Sequence, residues 1–167
     1  MARILLPMSM LSLLSIGAIF GFFYAWVCST MWGLDATDSR VAISAMQAMN
    51  ASVRNAIFFP AFFLTPVFLA LTALITWSQA CRMSATLFAA SAAVYFCGAF
   101  LITATINVPM NEALAQVTVP ADAESARRIW QDYSQPWQTW NTVRTVFSGI
   151  AVLLAGMAIL KLKTETR

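Results

Sequence analysis

Histidine is absent from the 167 residues, and charged side chains make up only 10% of them. A soluble domain carries about a quarter of its residues as Asp, Glu, Lys and Arg, so so little charge points to a lipid environment. Without histidine the chain lacks the commonest metal ligand and the commonest general base near neutral pH. Cys28, Cys81 and Cys97 stand at no ligand spacing, and there is no Gly-rich nucleotide loop. These gaps argue against a zinc, haem or non-haem iron site of the usual kind, so no metal and no cofactor is expected. The three cysteines are expected as buried free thiols. A formal net charge of +3, with no dense basic stretch, gives no reason to expect nucleic acid as a partner. No repeat, linker or low-complexity segment divides the chain, so residues 1–167 read as one domain.

What the chain has instead is apolar length. Hydrophobic residues make up 60% of it, and four stretches each supply about 20 mostly apolar residues, enough to cross a hydrocarbon core. They are 4–27, 56–77, 84–106 and 143–162, with Arg144 and Lys161 the only charges, at the ends of the last. The first run is too long for a signal-peptide core, and "AWV" before Cys28 lacks the small residue of a lipoprotein site, so it is expected to stay. The predicted fold is all-α: an antiparallel transmembrane four-helix bundle with two longer, partly helical connections on the non-cytoplasmic side. Arg3, Arg82, Lys161, Lys163 and Arg167 fall on one side, and Arg40, Arg54, Arg127, Arg128 and Arg144 on the other. That count is even. Weighting short loops and span ends places both termini in the cytoplasm, as in a bacterial inner-membrane protein.

Local signals add detail. Asp35 and Asp38 suit helix caps, and the alanines from Ala42 to Ala51 favour a helix running unbroken into the second span. Pro60 and Pro66 are expected to kink that span. "NVPMNEALAQ" reads as a turn entering a short helix, "TVPADAESARRIWQDY" as a loop entering another, and Pro136 as the start of helix four. Gly17, Ala18, Gly21 and the alanine run 89–93 suit close helix packing.

Polar side chains gather at one end of the bundle. Gln47, Asn50 and Arg54 are spaced to share one stripe of helix two, and Trp137, Asn141 and Arg144 one stripe of helix four. Thr103, Asn107, Asn111 and Glu112 close span three at the same level. An arginine at the membrane boundary turns inward where it can, since exposure to hydrocarbon costs about 2.5–3.5 kcal/mol on the mildest scale. Glu112 is the nearest acid to pair with Arg54 and Arg144. An interface belt accounts for Trp26, Trp32, Trp77 and Trp130, and snorkelling is open to both arginines. Neither explains asparagines interleaved with arginines at one end only. Such a network either locks the loops onto the bundle or lines a pocket.

The segments "AISAMQAMNASVRNAIF", "NVPMNEAL" and "WQDYSQPWQTWNTVR", in that order around the spans, resemble the anthrone oxygenase-like membrane family. The resemblance covers nearly the whole chain, and "NVPMN" with "W…WN..R" is specific only in combination. It implies oxidation of an anthrone-like or other phenolic aromatic substrate by O2 without metal or flavin. Such a reaction needs a base, a cation for the enolate and a flat apolar slot. Glu112 is the first candidate base and Asp132 the weaker one, with Arg54 and Arg144 as enolate stabilisers. Gln47, Asn50, Asn107, Asn111 and Asn141 are candidate polar contacts, and Tyr133, Trp137 and Trp140 candidate stacking platforms. The alternative is a non-enzymatic membrane protein that binds a lipid, a quinone-like ligand or a partner subunit, its polar cluster structural. A transporter is disfavoured because the span centres lack ionisable residues. Membrane lipid and a hydrophobic aromatic molecule are the expected contacts; oligomeric state is left open.

Overall fold

The computed structural model describes residues 2–165, with side chains from residue 4 onward. Arg167 and the side chain of Arg3, two of the charges weighed for topology, lie outside the described residues. Helix α1 (Ala2–Ala25) passes through a π turn (Trp26–Thr30) into α2 (Met31–Asp35). Helix α3 (Ser39–Ser52) precedes α4 (Phe58–Ser78). Helix α5 (Arg82–Tyr95) continues through π turns at Phe96–Phe100 and Thr103–Asn107 into α6 (Val108–Ala115). Helix α7 (Ala123–Glu165) completes the chain. Among the described residues there is no strand. The four rods Ile4–Asp35, Phe58–Ser78, Arg82–Ala115 and Ala123–Glu165 are long and apolar enough to cross a membrane. The predicted all-α four-span bundle is the architecture observed.

Two hydrophobic clusters share the long α7. In the bundle, α1 packs on α4 and α7, and α5 on the same two helices, around Ile16, Phe23, Leu69, Phe88 and Ala155. Beyond it, α2, α3, α6 and the first turns of α7 bury Met31, Ile43, Met46, Leu114, Trp130 and Trp137 as a cap. The 43 residues of α7 span about 65 Å, roughly twice the hydrocarbon thickness, so one helix serves both layers.

Several boundaries depart from expectation. Helix two does not run unbroken into its span: the chain turns between Ser52 and Phe58. Asn55 makes that turn, its amide donating to the Ser52 carbonyl (2.7 Å) and its Oδ1 accepting from the Ile57 and Phe58 N–H groups (2.9 Å each). Pro60 then sits in the first turn of α4, where a missing N–H removes no helical bond. Pro66 lies inside the helix, and the Phe62 carbonyl it leaves free accepts the buried Tyr95 hydroxyl at 2.9 Å. "NVPMNEALAQ" has no turn before its helix, because the π turn at Thr103–Asn107 passes directly into Val108–Ala115 with Pro109 in its first turn. Pro136 does not begin helix four but lies within it, on an exposed face where water or lipid headgroups can serve the freed carbonyl. Asp38 is the cap predicted for α3, accepting from the Arg40 N–H at 2.9 Å; Asp35 is not a cap and reaches elsewhere.

Packing glycines also differ. Gly17 and Gly21 face open space, whereas a Cβ on Gly98 would overlap the Phe147 ring. Gly98 therefore sets the approach of the third rod to α7. All three cysteines are free, but only Cys81 is buried; Cys28 and Cys97 lie on outward faces of the bundle. At the termini end, Glu165 caps α5, accepting from the Met83 and Ser84 N–H groups (3.0 and 3.2 Å) and from the Ser84 hydroxyl.

Candidate active site

At the junction of bundle and cap lies a cavity of about 390 Å³, walled by Phe22, Phe23, Phe58, Phe62, Phe63 and Phe100. That volume falls within the usual range for small-molecule sites, roughly 300–1,000 Å³. Arg144 supplies its deepest cation and is only 5% exposed. The guanidinium donates through Nε to Asn141 Oδ1 (3.0 Å) and through Nη1 to Thr103 Oγ1 (3.2 Å). It lies 4.3 Å from the Phe23 ring centroid and 5.1 Å from that of Trp137. Those ring faces attract the cation by about 0.5–2 kcal/mol each. The three ion pairs among the described residues, Arg40–Asp38, Arg54–Glu112 and Arg128–Glu124, leave Arg144 without a carboxylate. A buried guanidinium held only by neutral partners is set up to receive an anion or a developing negative charge.

The mouth of the cavity is ionic. Arg54, just past the end of α3, donates to Glu112 on α6 at 3.2 Å, and both side chains are about half exposed (51% and 59%). Between mouth and floor runs a relay of hydrogen bonds. Asn50 donates to the Tyr133 hydroxyl (3.4 Å), which donates to Asn111 Oδ1 (2.8 Å); the same oxygen accepts the Trp137 indole N–H (2.8 Å). Trp137 also stacks on Tyr133 and meets Trp26 edge-on at 5.2 Å. The rings are thereby fixed before any ligand arrives.

The predicted site residues thus separate into groups. Arg54, Arg144, Glu112, Asn50, Asn111 and Trp137 line the cavity, and Tyr133 supports them from behind. Gln47, Asn107 and Asn141 serve the scaffold. Gln47 donates to the Leu114 and Val117 carbonyls (2.8 Å each), closing the end of α6. Asn107 donates to the Trp137 carbonyl (3.4 Å), with its own buried Oδ1 unpartnered. Asn141 donates to the Phe23 carbonyl (3.2 Å) beside the π turn while accepting from Arg144. Trp140 is 37% exposed, and it and Asp132 lie outside the cavity.

Sequence reasoning missed two features. Asp35 accepts from the Trp130 indole (2.8 Å), Ser134 (2.7 Å) and Gln138 (2.8 Å), pinning α2 to α7. Trp130, read as a belt residue, is therefore a buried cap residue. Trp26 likewise belongs to the cavity wall rather than to a belt. The spacing of Trp130, Ser134 and Gln138 along one helix face was the available signal, but nothing in it named the partner. Among the described residues no group of three Cys, Asp or Glu side chains is placed to hold a metal ion.

Fold and cavity define a class: an integral membrane four-helix bundle with a capped aromatic chamber ending in a buried cation. Residues 46–154 match the family model described as Anthrone oxygenase, and the chain belongs to that family. No curated protein and no solved structure matches it. The matched segment runs from α3 into α7 and includes every cavity residue named above except Phe22 and Phe23 of α1 and Trp26 of the following π turn.

Proposed function

We propose that the chain oxidises a flat hydroxylated aromatic ketone of the anthrone type with O2, converting its methylene into a second carbonyl. The observation that carries this reading is Arg144, buried without a carboxylate among aromatic rings. Glu112 takes one methylene proton at the mouth, and the resulting enolate oxygen rests against the Arg144 guanidinium. The ring carbanion attacks O2 to give a hydroperoxide, which loses water to form the ketone. One CH2 and one O2 become one C=O and one H2O, so no other oxidant or reductant is needed. Arg54 donates to Glu112 and so positions its carboxyl group at the chamber mouth. The non-enzymatic alternative is favoured by the scaffold bonds of Gln47, Asn107 and Asn141, but these leave the chamber itself unexplained. In this reading both termini are cytoplasmic and the chamber opens at the opposite face.

The experiment is anthrone oxidation by the purified protein in lipid nanodiscs, followed by anthraquinone absorbance. Arg144→Ala removes the enolate's cation and is expected to lower kcat/KM by about 100-fold or more. Glu112→Gln is expected to lower it by about 100-fold while product binding survives. Wild-type rates in both variants would sink the assignment.

A further inference from the structure

We infer that the aromatic substrate reaches the chamber sideways from the bilayer, through a groove between α1 and α4 that the Phe22 and Phe58 rings close. This rests on reading the chamber as a site for a flat aromatic ketone. The groove holds about 530 Å³ and is lined by Ala18, Ile19, Ile57 and Ala61, residues absent from the chamber wall. Phe22, Trp26, Met49, Val53 and Phe58 line both spaces and so form a shared wall between them. Within it, the Phe22 and Phe58 rings are 4.7 Å apart and tilted by 48°. No hydrogen bond, ion pair or disulfide ties that pair shut.

Behind the partition a row of phenyl faces leads inward. Phe58 stacks on Phe62 at 5.6 Å and Phe62 on Phe100 at 5.1 Å, each pair near parallel (16° and 17°). Such a row accepts a planar ring by offset stacking at every step. Phe58 is the first residue of α4, directly after the turn built by Asn55, and its neighbour Ile57 is 87% exposed. A side chain at a helix start, next to an exposed turn, can swing without breaking the core. The groove is apolar apart from Ser52 and Asn55 at its rim, whereas the other opening carries the Arg54–Glu112 pair. The two openings therefore divide the traffic: the apolar groove admits a bilayer-dissolved ring system, and the ionic mouth exchanges protons and water.

The test uses 1,8-dihydroxyanthraquinone, which carries no methylene to oxidise, and the full chain in nanodiscs of phosphatidylethanolamine and phosphatidylglycerol. Stopped-flow quenching of tryptophan fluorescence reports its saturable binding. Ala18→Phe and Ala61→Phe fill the groove without touching the chamber, so the on- and off-rates are expected to fall together, by about tenfold, at nearly constant Kd. Phe58→Leu shrinks the gate and is expected to raise both rates, a gain that no folding defect can mimic. Wild-type rates in all three variants overturn the proposal, as does slowing seen only with Ala104→Phe, at a chamber-lining position outside the groove, or an absence of saturable quenching in the wild type. If these rates shift as expected but the wild type fails to oxidise anthrone, the catalytic reading fails and the lateral route stands.

Discussion

Asp35 shows what one carboxylate can organise when its partners are distant in sequence. Trp130 and Ser134 are both buried, and each donates to the same oxygen. Asp35→Ala would strand those two donors, a loss of about 1–3 kcal/mol for each buried group left unmade. The expected result is a clear drop in thermal midpoint in detergent, with 1,8-dihydroxyanthraquinone still bound, because Asp35 lies outside the chamber. An unchanged midpoint would show that solvent already satisfies these donors. The same residue marks how far side-chain roles were legible. That Arg144, Arg54, Glu112, Asn50 and Asn111 gather at one cavity was legible, because charge and amide groups at a membrane boundary must turn inward or pair. The scaffold roles of Asp35 and Gln47 were not, because their partners, an indole with two polar side chains and a pair of backbone carbonyls, carry no charge that would mark them in the sequence.

Among the helices, the existence of the four spans followed from apolar length, while their continuity did not. A proline or an asparagine reads as a break, yet π turns carry the chain past Asn107 and Pro109, and Asn55 makes a break where alanines suggested none. The deciding factor is whether a freed backbone group finds a partner, which only tertiary structure supplies. Pro66 and Tyr95 form the clearest case. Tyr95→Phe leaves the Phe62 carbonyl unpaired within the bundle and should cost about 1 kcal/mol. With Pro66→Ala in place, the restored N–H at position 66 can reach that carbonyl, so the same Tyr95→Phe change should cost less than about half as much. A double-mutant cycle of unfolding midpoints reads the difference. Equal costs in the two backgrounds would mean that Pro66 and Tyr95 do not share this carbonyl.

For the molecule as a whole, the arginine and lysine count was even between the two ends, but their distances from the span ends are not. Arg127 and Arg128 sit near the start of α7, 17 and 16 residues before Arg144, so about 25 Å of helix separates them from the bundle mouth. Arg144 itself is turned inward and buried. On the cap side this leaves Arg54 as the cation close to the ends of the spans. At the other end Arg82 opens α5, stacked 3.9 Å from the Trp77 centroid, and Lys161 and Lys163 lie within the last turns of α7. Positive residues next to span ends govern orientation more than those in distant loops, so this placement supports the proposed orientation, termini cytoplasmic and chamber on the far side. In a background with Cys28, Cys81 and Cys97 replaced by Ala, Thr118→Cys in the exposed connection after α6 should react with a membrane-impermeant maleimide in intact cells. Thr164→Cys, exposed at the end of α7, should react only after lysis. The reverse pattern would invert the protein and face the ionic mouth toward the cytoplasm. Under the proposed reaction, either result decides which compartment exchanges protons with Glu112, because the Arg54–Glu112 pair sits at the chamber's polar opening.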